Sequence, residues 1–323
     1  MTTVYLVVPC YNEEAVLPET AKQLTAKLLS MIQAGKVGDD SRILFVDDGS
    51  KDKTWELIEK LHEEVKYISG LKLAHNRGHQ NALLAGLMEA KESADCAISL
   101  DADLQDDIEV LDQFIDKYHE DCEVVYGVRN KRDTDTFFKR ASAQGFYKFM
   151  KVLGVDIVYN HADYRLMGKR AIEALAEYKE VNLFLRGIVP LIGYKSDYVY
   201  YDRHERFAGE SKYPLKKMIH FALDGITSFS VRPLKIISNL GVLISILSVL
   251  GLLYALISHF AGWTVEGWTA IVCSIWLLGG IQLLCIGVVG GYIGKIYSEV
   301  KARPRFRVET LLNRKDEEQT KDK

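Results

Sequence analysis

Residues 96–106 have the sequence Cys-Ala-Ile-Ser-Leu-Asp-Ala-Asp-Leu-Gln-Asp. The first five form a short apolar run that is typical of a buried strand, and two carboxylates follow where that strand would end. Asp101 and Asp103 can both reach one cation as the chain turns, and carboxylate oxygens select hard divalent ions such as Mg²⁺ or Mn²⁺. A capped turn before a helix at Ile108 fits the same residues. The position at a strand end favours the metal site.

Short apolar runs alternate with helical patterns along the first part of the chain. Strands are predicted at residues 4–9, 42–46, 71–75, 96–100 and 123–128. Helices are predicted to begin near Glu13, Asp52, His79 and Ile108. This alternation predicts an α/β fold with a mostly parallel sheet.

Polar clusters follow four of these runs, at Pro9–Glu14, Asp47–Ser50, Asn76–Gln80 and Asp101–Asp106. In parallel sheets, ligands bind beyond the carboxyl ends of the strands. Each cluster alone could be a turn or a helix cap. All four at one sheet edge predict a functional site.

Composition excludes several classes of protein. The 323 residues are 48% hydrophobic and 26% charged with a net charge of -3, which argues against a disordered chain and a nucleic-acid binder. Five cysteines without a CxxC pair argue against a disulfide-stapled scaffold. The dinucleotide, P-loop and nucleophile-elbow motifs are missing from the sequence.

Two uncharged apolar stretches near the C-terminus, Ile236–Ser258 and Thr269–Gly294, are long enough to span a bilayer. Buried core helices are the alternative interpretation. Basic residues flank the pair on both sides, at Lys216, Lys217, Arg232, Lys235, Lys295, Lys301, Arg303, Arg305 and Arg307. The connecting loop contains no Lys or Arg. The positive-inside rule therefore predicts a multi-pass protein of the cell membrane with both termini in the cytoplasm.

The chain is accordingly divided into four parts. Residues 1–212 are predicted to form a cytoplasmic domain, and 236–294 a two-helix transmembrane hairpin. Residues 213–235 are predicted to form a juxtamembrane amphipathic helix, although a helix packed on the soluble domain fits the same spacing. Residues 295–323 are predicted to be a basic cytoplasmic tail whose charged end is disordered.

Basic side chains follow the acidic cluster in sequence. Arg129 lies at the end of the fifth predicted strand, and Arg140 lies in a helix rich in aromatic residues. A donor-rich stretch, residues 203–213, precedes the apolar region. Arg and Lys opposite a metal site suit phosphate or diphosphate ligands.

Six motifs together resemble one enzyme family. They are Val8–Glu14 (VPCYNEE), Val46–Ser50 (VDDGS), Asn76–Gln80 (NRGHQ), Asp101–Asp106 (DADLQD), Ala162–Arg165 (ADYR) and Arg206–Tyr213 (RFAGESKY). The chain resembles the inverting glycosyltransferases that use polyprenyl phosphate, related to dolichol-phosphate mannose synthase. The two apolar stretches are similar to the bacterial branch that glucosylates undecaprenyl (bactoprenol) phosphate.

The resemblance implies a GT-A-type fold that binds a nucleotide sugar, and a metal-dependent hexosyltransferase. It implies nucleoside contacts from Pro9, Tyr11, Glu13 and Asp47 or Asp48. It implies a metal site with Mg²⁺ or Mn²⁺ at Asp101 and Asp103, with Gln105 as a further ligand. It implies phosphate contacts from Arg129 and Arg140, and acceptor contacts from Arg206, Ser211 and Lys212. It places Asp163 near the acceptor.

The acceptor's chemistry bears on the role of Asp163. A phosphate monoester has a second pKa near 6, so it is already largely dianionic at pH 7 and needs no general base to attack. We therefore expect a single inverting displacement in which Asp163 positions groups rather than abstracting a proton.

The implied partners are a nucleotide-sugar donor, undecaprenyl phosphate and membrane lipid. UDP-glucose is the expected donor, and UDP-N-acetylglucosamine, UDP-galactose and GDP-mannose stay open. The product would be a lipid-linked sugar for cell-envelope glycosylation. Related membrane-anchored members form tetramers, which implies a homo-oligomer. A catalytically inert membrane scaffold is the alternative from another class. A processive polysaccharide synthase is disfavoured because the sequence lacks Gln-x-x-Arg-Trp.

Overall fold

The polar strand ends lie along one edge of an eight-stranded sheet in a computed structural model, which describes residues 1–130, 161–181, 183–202, 232–261 and 267–313. The strands are β1 (Val4–Cys10), β2 (Arg42–Asp47), β3 (Ile68–Leu73), β4 (Cys96–Ser99), β5 (Val124–Arg129), β6 (His161–Gly168), β7 (Ser196–Tyr201) and β8 (Val308–Leu312). Their order is β7-β5-β6-β4-β1-β2-β3-β8.

The sheet is mostly parallel, which confirms the predicted fold class. Strands β4, β1, β2 and β3 pair in parallel, and β7 pairs in parallel with β5. Strand β6 runs antiparallel to both β4 and β5, so β5 has the same direction as β4. The carboxyl ends of the parallel strands therefore meet at one edge.

Helices cover both faces of the sheet. The helices of this unit are α1 (Leu17–Gln33), α2 (Thr54–Glu64), α3 (His79–Ser93), α4 (Leu111–His119), α5 (Lys169–Glu177) and α6 (Leu185–Leu191), with a 3₁₀ helix at Ile108–Val110. The side chains of α1 and α4 share one buried cluster with alternate residues of β1. On the other face, α3 packs so closely that a Cβ at Gly86 would lie 2.4 Å from a Val7 methyl carbon.

The predicted bounds of the strands match the structure closely where the sequence is continuously apolar, and differ from it elsewhere. Strand β3 covers Ile68–Leu73 rather than 71–75, because Ile68 and Leu71 face the core while His75 is exposed. The first helix begins at Leu17 rather than near Glu13, since residues 11–14 form a loop bonded to the loop after β2. Strands β6, β7 and β8 are additions to the five predicted.

The last strand, β8, differs most from expectation, because residues 295–323 were predicted to be a tail. It pairs antiparallel with β3 at the sheet edge. Arg307 accepts a hydrogen bond from the Ala74 N–H at its backbone oxygen (3.0 Å), and the Arg305 guanidinium donates to the Tyr178 carbonyl. The end of the described chain is therefore an integral part of the sheet.

A second unit contains the described residues of 232–301, while 302–313 belong to the sheet unit. It consists of α7 (Arg232–Phe260) and α8 (Trp268–Lys301), and these helices include both apolar stretches named above. Within the described residues, one helical segment is long and apolar enough to cross a membrane, Leu277–Lys301, and Pro233–Ile244 is a shorter apolar helix. The pair of membrane spans stays a prediction.

Candidate active site

The loop after β1 is tied to the loop after β2 by backbone and side-chain hydrogen bonds. Asn12 has a positive φ of 55°, its N–H donates to Ser50 Oγ (2.9 Å), and its side-chain oxygen accepts from the Lys51 N–H (2.8 Å). The Glu13 N–H donates to Thr54 Oγ1 at 2.9 Å. These bonds fix the loop that carries Tyr11, which is 40% exposed, at the carboxyl edge of the sheet.

The two carboxylates at the end of β2, Asp47 within the strand and Asp48 directly after it, are buried and accept hydrogen bonds from backbone N–H groups. Both Asp47 oxygens accept from the Ser50 N–H (3.2 and 3.3 Å). Asp48 accepts from the N–H groups of Arg77 (2.7 Å) and Gly78 (2.8 Å). Burial raises the pKa of both carboxyls, although these hydrogen bonds oppose it. Asp48 thus fixes the loop that leads into α3.

Gly49, between these loops, must be a glycine. Its φ is +67°, and a Cβ there would lie 2.7 Å from the Asn76 backbone nitrogen. A side chain at this position would push the two loops apart, since L residues rarely adopt this φ and the contact is with backbone.

The DADLQD segment leaves β4 at the centre of the edge. Asp101 is half-buried, and Asp103 accepts a hydrogen bond from the Gln105 N–H at 3.2 Å. Burial, together with the charges of Asp106, Asp163 and Asp103, raises the pKa of Asp101 to about 6, against the opposing effect of His79. The carboxylates crowd together, so a cation bound there would relieve their repulsion.

These residues suit an open site for Mg²⁺ or Mn²⁺, in which the protein supplies only some of the ligands, rather than a site closed by protein ligands alone. In the part of the chain that the structure describes, His, Cys, Asp and Glu side chains form no group of three or more that could hold a metal ion. Mg²⁺ takes only one or two protein carboxylates and fills its other positions with water and substrate phosphates. Asp101 and Asp103, with Gln105 nearby, supply such a donor set.

Asp163 on β6 lies at the same edge in a cationic surrounding. The Arg186 guanidinium donates to both of its oxygens, from Nε to Oδ1 (3.1 Å) and from Nη2 to Oδ2 (3.0 Å). Arg165 Nη2 lies 3.8 Å from Oδ1. Burial alone would raise the pKa of Asp163, but Arg186, Arg165 and His79 outweigh it and hold the pKa well below its usual range.

His79, the first residue of α3, lies between Asp101 and the Asp163–Arg186 pair. Its Nε2 lies 3.7 Å from Asp101 Oδ1 and 3.7 Å from Asp163 Oδ2. The next residue, Gln80, accepts a hydrogen bond from the Leu185 N–H at 2.8 Å, which fixes the start of the helix that carries Arg186. The NRGHQ motif thus connects the DADLQD segment to the Asp163–Arg186 pair.

Arg129 is engaged at the end of β5. Its Nη2 donates to Asp106 Oδ1 (3.1 Å) and its Nε donates to Tyr201 Oη (3.2 Å), while the Tyr201 hydroxyl also donates to Asp106 (2.6 Å). Burial lowers the pKa of this guanidinium, but Asp106 and Tyr201 reverse the shift and raise it. Arg129 remains 25% exposed, so it reaches the site edge as a fixed positive charge.

The structure thus brings together at one edge the predicted residues Asp101, Asp103, Gln105, Asp163 and Arg129. Asp47 lies at the end of the neighbouring strand β2, and Tyr11 and Asp48 lie in the adjoining loops. The predicted positions Arg140, Arg206, Ser211 and Lys212 lie outside the described residues, as do residues 213–231 of the juxtamembrane helix predicted over 213–235. Residues 232–235 of that prediction belong to α7. Arg186 is one of the basic residues that follow the acidic cluster in sequence and suit phosphate ligands, but its charge alone gave it no individual role in the predicted site. His79 and Gln80 lay within a motif that had no assigned role.

The chain is similar to known proteins over most of its length. Residues 5–176 match the family model described as glycosyl transferase family 2. The chain is 56% identical over 307 residues to an uncharacterized glycosyltransferase of Bacillus subtilis, YkoT, covering 95% of this chain and 91% of the relative. It is 39% identical over 303 residues to the SfII prophage-derived bactoprenol glucosyl transferase of Shigella flexneri, covering 93% and 96%.

Among solved structures, the chain aligns with glucosyl-3-phosphoglycerate synthase from Mycobacterium tuberculosis in complex with Mn²⁺, UDP-glucose and phosphoglyceric acid. The TM-score is 0.43 at 14% identity, and the alignment covers 70% of this chain and 78% of that one. The sequence relatives cover more of the chain, and their similarity extends past the family model into its C-terminal part.

Proposed function

Because the chain belongs to glycosyl transferase family 2, we propose that it transfers a glucosyl group from UDP-glucose to undecaprenyl phosphate with inversion at the anomeric carbon. The reaction takes place at the cytoplasmic face of the cell membrane and yields a lipid-linked sugar for cell-envelope glycosylation. The Shigella relative, 39% identical, is named a bactoprenol glucosyl transferase, which supports glucose as the transferred sugar and a bactoprenol lipid as the acceptor.

One observation carries the proposal: two oppositely charged positions lie side by side at the carboxyl edge of the sheet. His79 Nε2 lies 3.7 Å from Asp101 in the acidic position and 3.7 Å from Asp163, which is clamped by Arg186, in the cationic one. A reaction between two phosphorylated substrates needs such a division, because one position must hold a metal-bound diphosphate and the other a phosphate anion.

Asp101 and Asp103 would hold the divalent ion, Mg²⁺ or Mn²⁺, with Gln105 as a further ligand. When bound, the ion neutralises charge that develops on the leaving nucleoside diphosphate. The proposed nucleoside contacts are Pro9, Tyr11, Glu13, Asp47 and Asp48. Tyr11 is the exposed member of this set, whereas Asp47 and Asp48 would act by fixing the loops around the nucleoside.

The acceptor phosphate is the proposed nucleophile, and its second pKa near 6 leaves it largely dianionic at pH 7. Asp163 is a poor candidate for a base, because both of its oxygens accept hydrogen bonds from Arg186 and its pKa is held below the usual range. Its proposed role is to orient Arg186 beside the reacting phosphate. Arg129 and Arg140 are proposed phosphate contacts, and Arg206, Ser211 and Lys212 are proposed acceptor contacts.

The proposed membrane arrangement has two spans, α7 and α8, with the sheet unit and both termini in the cytoplasm. The Lys and Arg residues on both flanks and their absence from the connecting loop support this orientation. Residues 213–235 are proposed as the interfacial helix. The protein is proposed to form a homo-oligomer, with a tetramer as the form that the family resemblance implies.

The test uses the purified full-length protein in detergent with undecaprenyl phosphate, Mg²⁺ or Mn²⁺, and radiolabelled UDP-glucose, UDP-N-acetylglucosamine, UDP-galactose or GDP-mannose. The readout is label that moves into the organic phase. Transfer from UDP-glucose supports the proposal, and transfer from another donor keeps the reaction class but changes the sugar. A folded protein that neither transfers nor hydrolyses any donor contradicts the proposal and favours an inert scaffold.

A further inference from the structure

Helix α1 contacts both ends of the segment 101–112, here called the acidic loop, which runs from the end of β4 through the 3₁₀ helix into the first turn of α4. At its start, the Thr20 hydroxyl lies 2.7 Å from the Ala102 carbonyl oxygen, between the two carboxylates of the DAD sequence. At its end, Lys27 Nζ donates to Glu109 Oε2 and Asp112 Oδ2, both at 2.7 Å, and to the Glu109 carbonyl at 3.2 Å. One helix thus holds both ends of the loop.

The positions of these two side chains explain how one helix can do this. Thr20 and Lys27 are seven residues apart, which is about two helical turns, so they project from the same face of α1. Thr20 is fully buried and Lys27 is 8% exposed. Between the two attachments, Leu104 has a positive φ of 53°, which is uncommon for a residue other than glycine. The loop conformation therefore depends on its anchors.

The bond from Thr20 is more than a local helix contact. A threonine in a helix ordinarily donates to the carbonyl four residues earlier, and Val16 O lies 3.0 Å from this hydroxyl. The contact to Ala102 is shorter, at 2.7 Å. It holds the plane of the Ala102–Asp103 peptide, and that plane helps to set the direction in which the Asp103 side chain leaves the backbone.

We propose that Thr20 is a positioning residue for the metal site: its hydroxyl orients the Ala102–Asp103 peptide so that the Asp103 carboxylate faces the same divalent cation as Asp101. This inference rests on the proposed function, since it needs the cation at Asp101 and Asp103. Outer groups that orient metal ligands typically contribute about 10- to 100-fold to metal affinity.

Three variants of the full-length protein in detergent test this. Thr20→Val keeps the size and removes the hydroxyl, and Thr20→Ser keeps the hydroxyl. Thr25→Val is the matched control on the same helix, since the Thr25 hydroxyl is buried without a hydrogen-bond partner among the described residues. The readout is Mn²⁺ affinity in the presence of UDP, measured by electron paramagnetic resonance of free Mn²⁺, with Asp103→Ala as the reference for a lost site.

We expect Thr20→Val to weaken Mn²⁺ binding about 10-fold or more, and Thr20→Ser and Thr25→Val to stay within about 3-fold of the parent protein. Unfolding temperatures and circular dichroism show that each variant is folded. If Thr20→Val and Thr25→Val bind Mn²⁺ equally while Asp103→Ala does not, the role of Thr20 is wrong and the metal site stands. If the parent protein and Asp103→Ala bind Mn²⁺ equally weakly, the proposed metal site is wrong, and the inference about Thr20 falls with it.

Discussion

Replacing Arg186 by methionine should destabilise the fold by leaving Asp163 without its main partner. The Asp163 side chain is 12% exposed, and Arg186 bonds both of its oxygens at 3.0 and 3.1 Å. Breaking a buried ion pair from one side costs about 3–5 kcal/mol. Arg186 is 35% exposed, so solvent screens part of the interaction, and Arg165 remains 3.8 Å from the carboxylate. We therefore expect a loss of about 2 kcal/mol at pH 7.

The assay is thermal unfolding of the purified protein in detergent, followed by circular dichroism. A loss of about 2 kcal/mol should lower Tm by about 4–8 °C for a domain of this size. Arg170→Met is the matched control, because Arg170 is 68% exposed and its ion pair with Glu123, at 3.4 Å, lies at the surface. We expect it to change stability by less than about 0.5 kcal/mol.

The pH dependence of Tm provides a second, independent test of the Asp163–Arg186 pair. Arg186 holds the folded-state pKa of Asp163 below its unfolded value, so the stabilisation is present above an unfolded pKa of about 3.9 and is lost as pH falls towards the folded pKa. The Tm difference between the parent protein and Arg186→Met should therefore narrow below about pH 4. Equal effects of Arg186→Met and Arg170→Met, or a difference that stays constant on acidification, would refute the role assigned to this pair.

Three further predictions concern the reaction and the sheet. Asp163→Asn should slow glucosyl transfer by about 10-fold or less, because Asp163 is proposed to position Arg186. Loss of a general base would instead slow transfer by about 10²–10⁴-fold. Steady-state rates at saturating donor distinguish the two roles. Asp103→Ala, or EDTA added to the parent protein, should lower transfer by at least about 10²-fold with the fold retained, and full activity in EDTA would contradict a metal-dependent mechanism. Leu312→Ala should lower the free energy of unfolding, measured by chemical denaturation, by about 1–2 kcal/mol, because Leu312 packs against the core. Leu311 is 36% exposed, so Leu311→Ala should change this free energy by less than about 0.5 kcal/mol. Equal effects of the two substitutions would argue against β8 as a packed strand.

The sequence was most informative where burial on both faces leaves a continuous apolar run. Strands β1, β2 and β4 are fully buried, and each lies where its apolar run predicted it. Their polar ends then had to meet, because parallel strands share an edge. Strand β6 was harder to predict, since Asp163 and Arg165 interrupt its apolar pattern.

Other features depend on contacts between distant parts of the chain. Arg186 reaches Asp163 only because Gln80 bonds the Leu185 N–H and so places the start of α6. Nothing in the spacing of these residues predicts that arrangement. The pairing of β8 with β3 likewise joins residues that are far apart in sequence, such as Gly70 and Leu312.

That pairing has a consequence for how the protein is made. Residues 308–312 leave the ribosome after α7 and α8, so the edge of β3 stays without its partner until both helices have been synthesised. An unpaired strand edge is a site for aggregation. A chain that stops before the helices would lack the strand that closes its sheet, so shortening the gene to obtain the N-terminal part alone would expose that edge. The C-terminal strand therefore makes completion of the N-terminal fold depend on translation through the apolar helices.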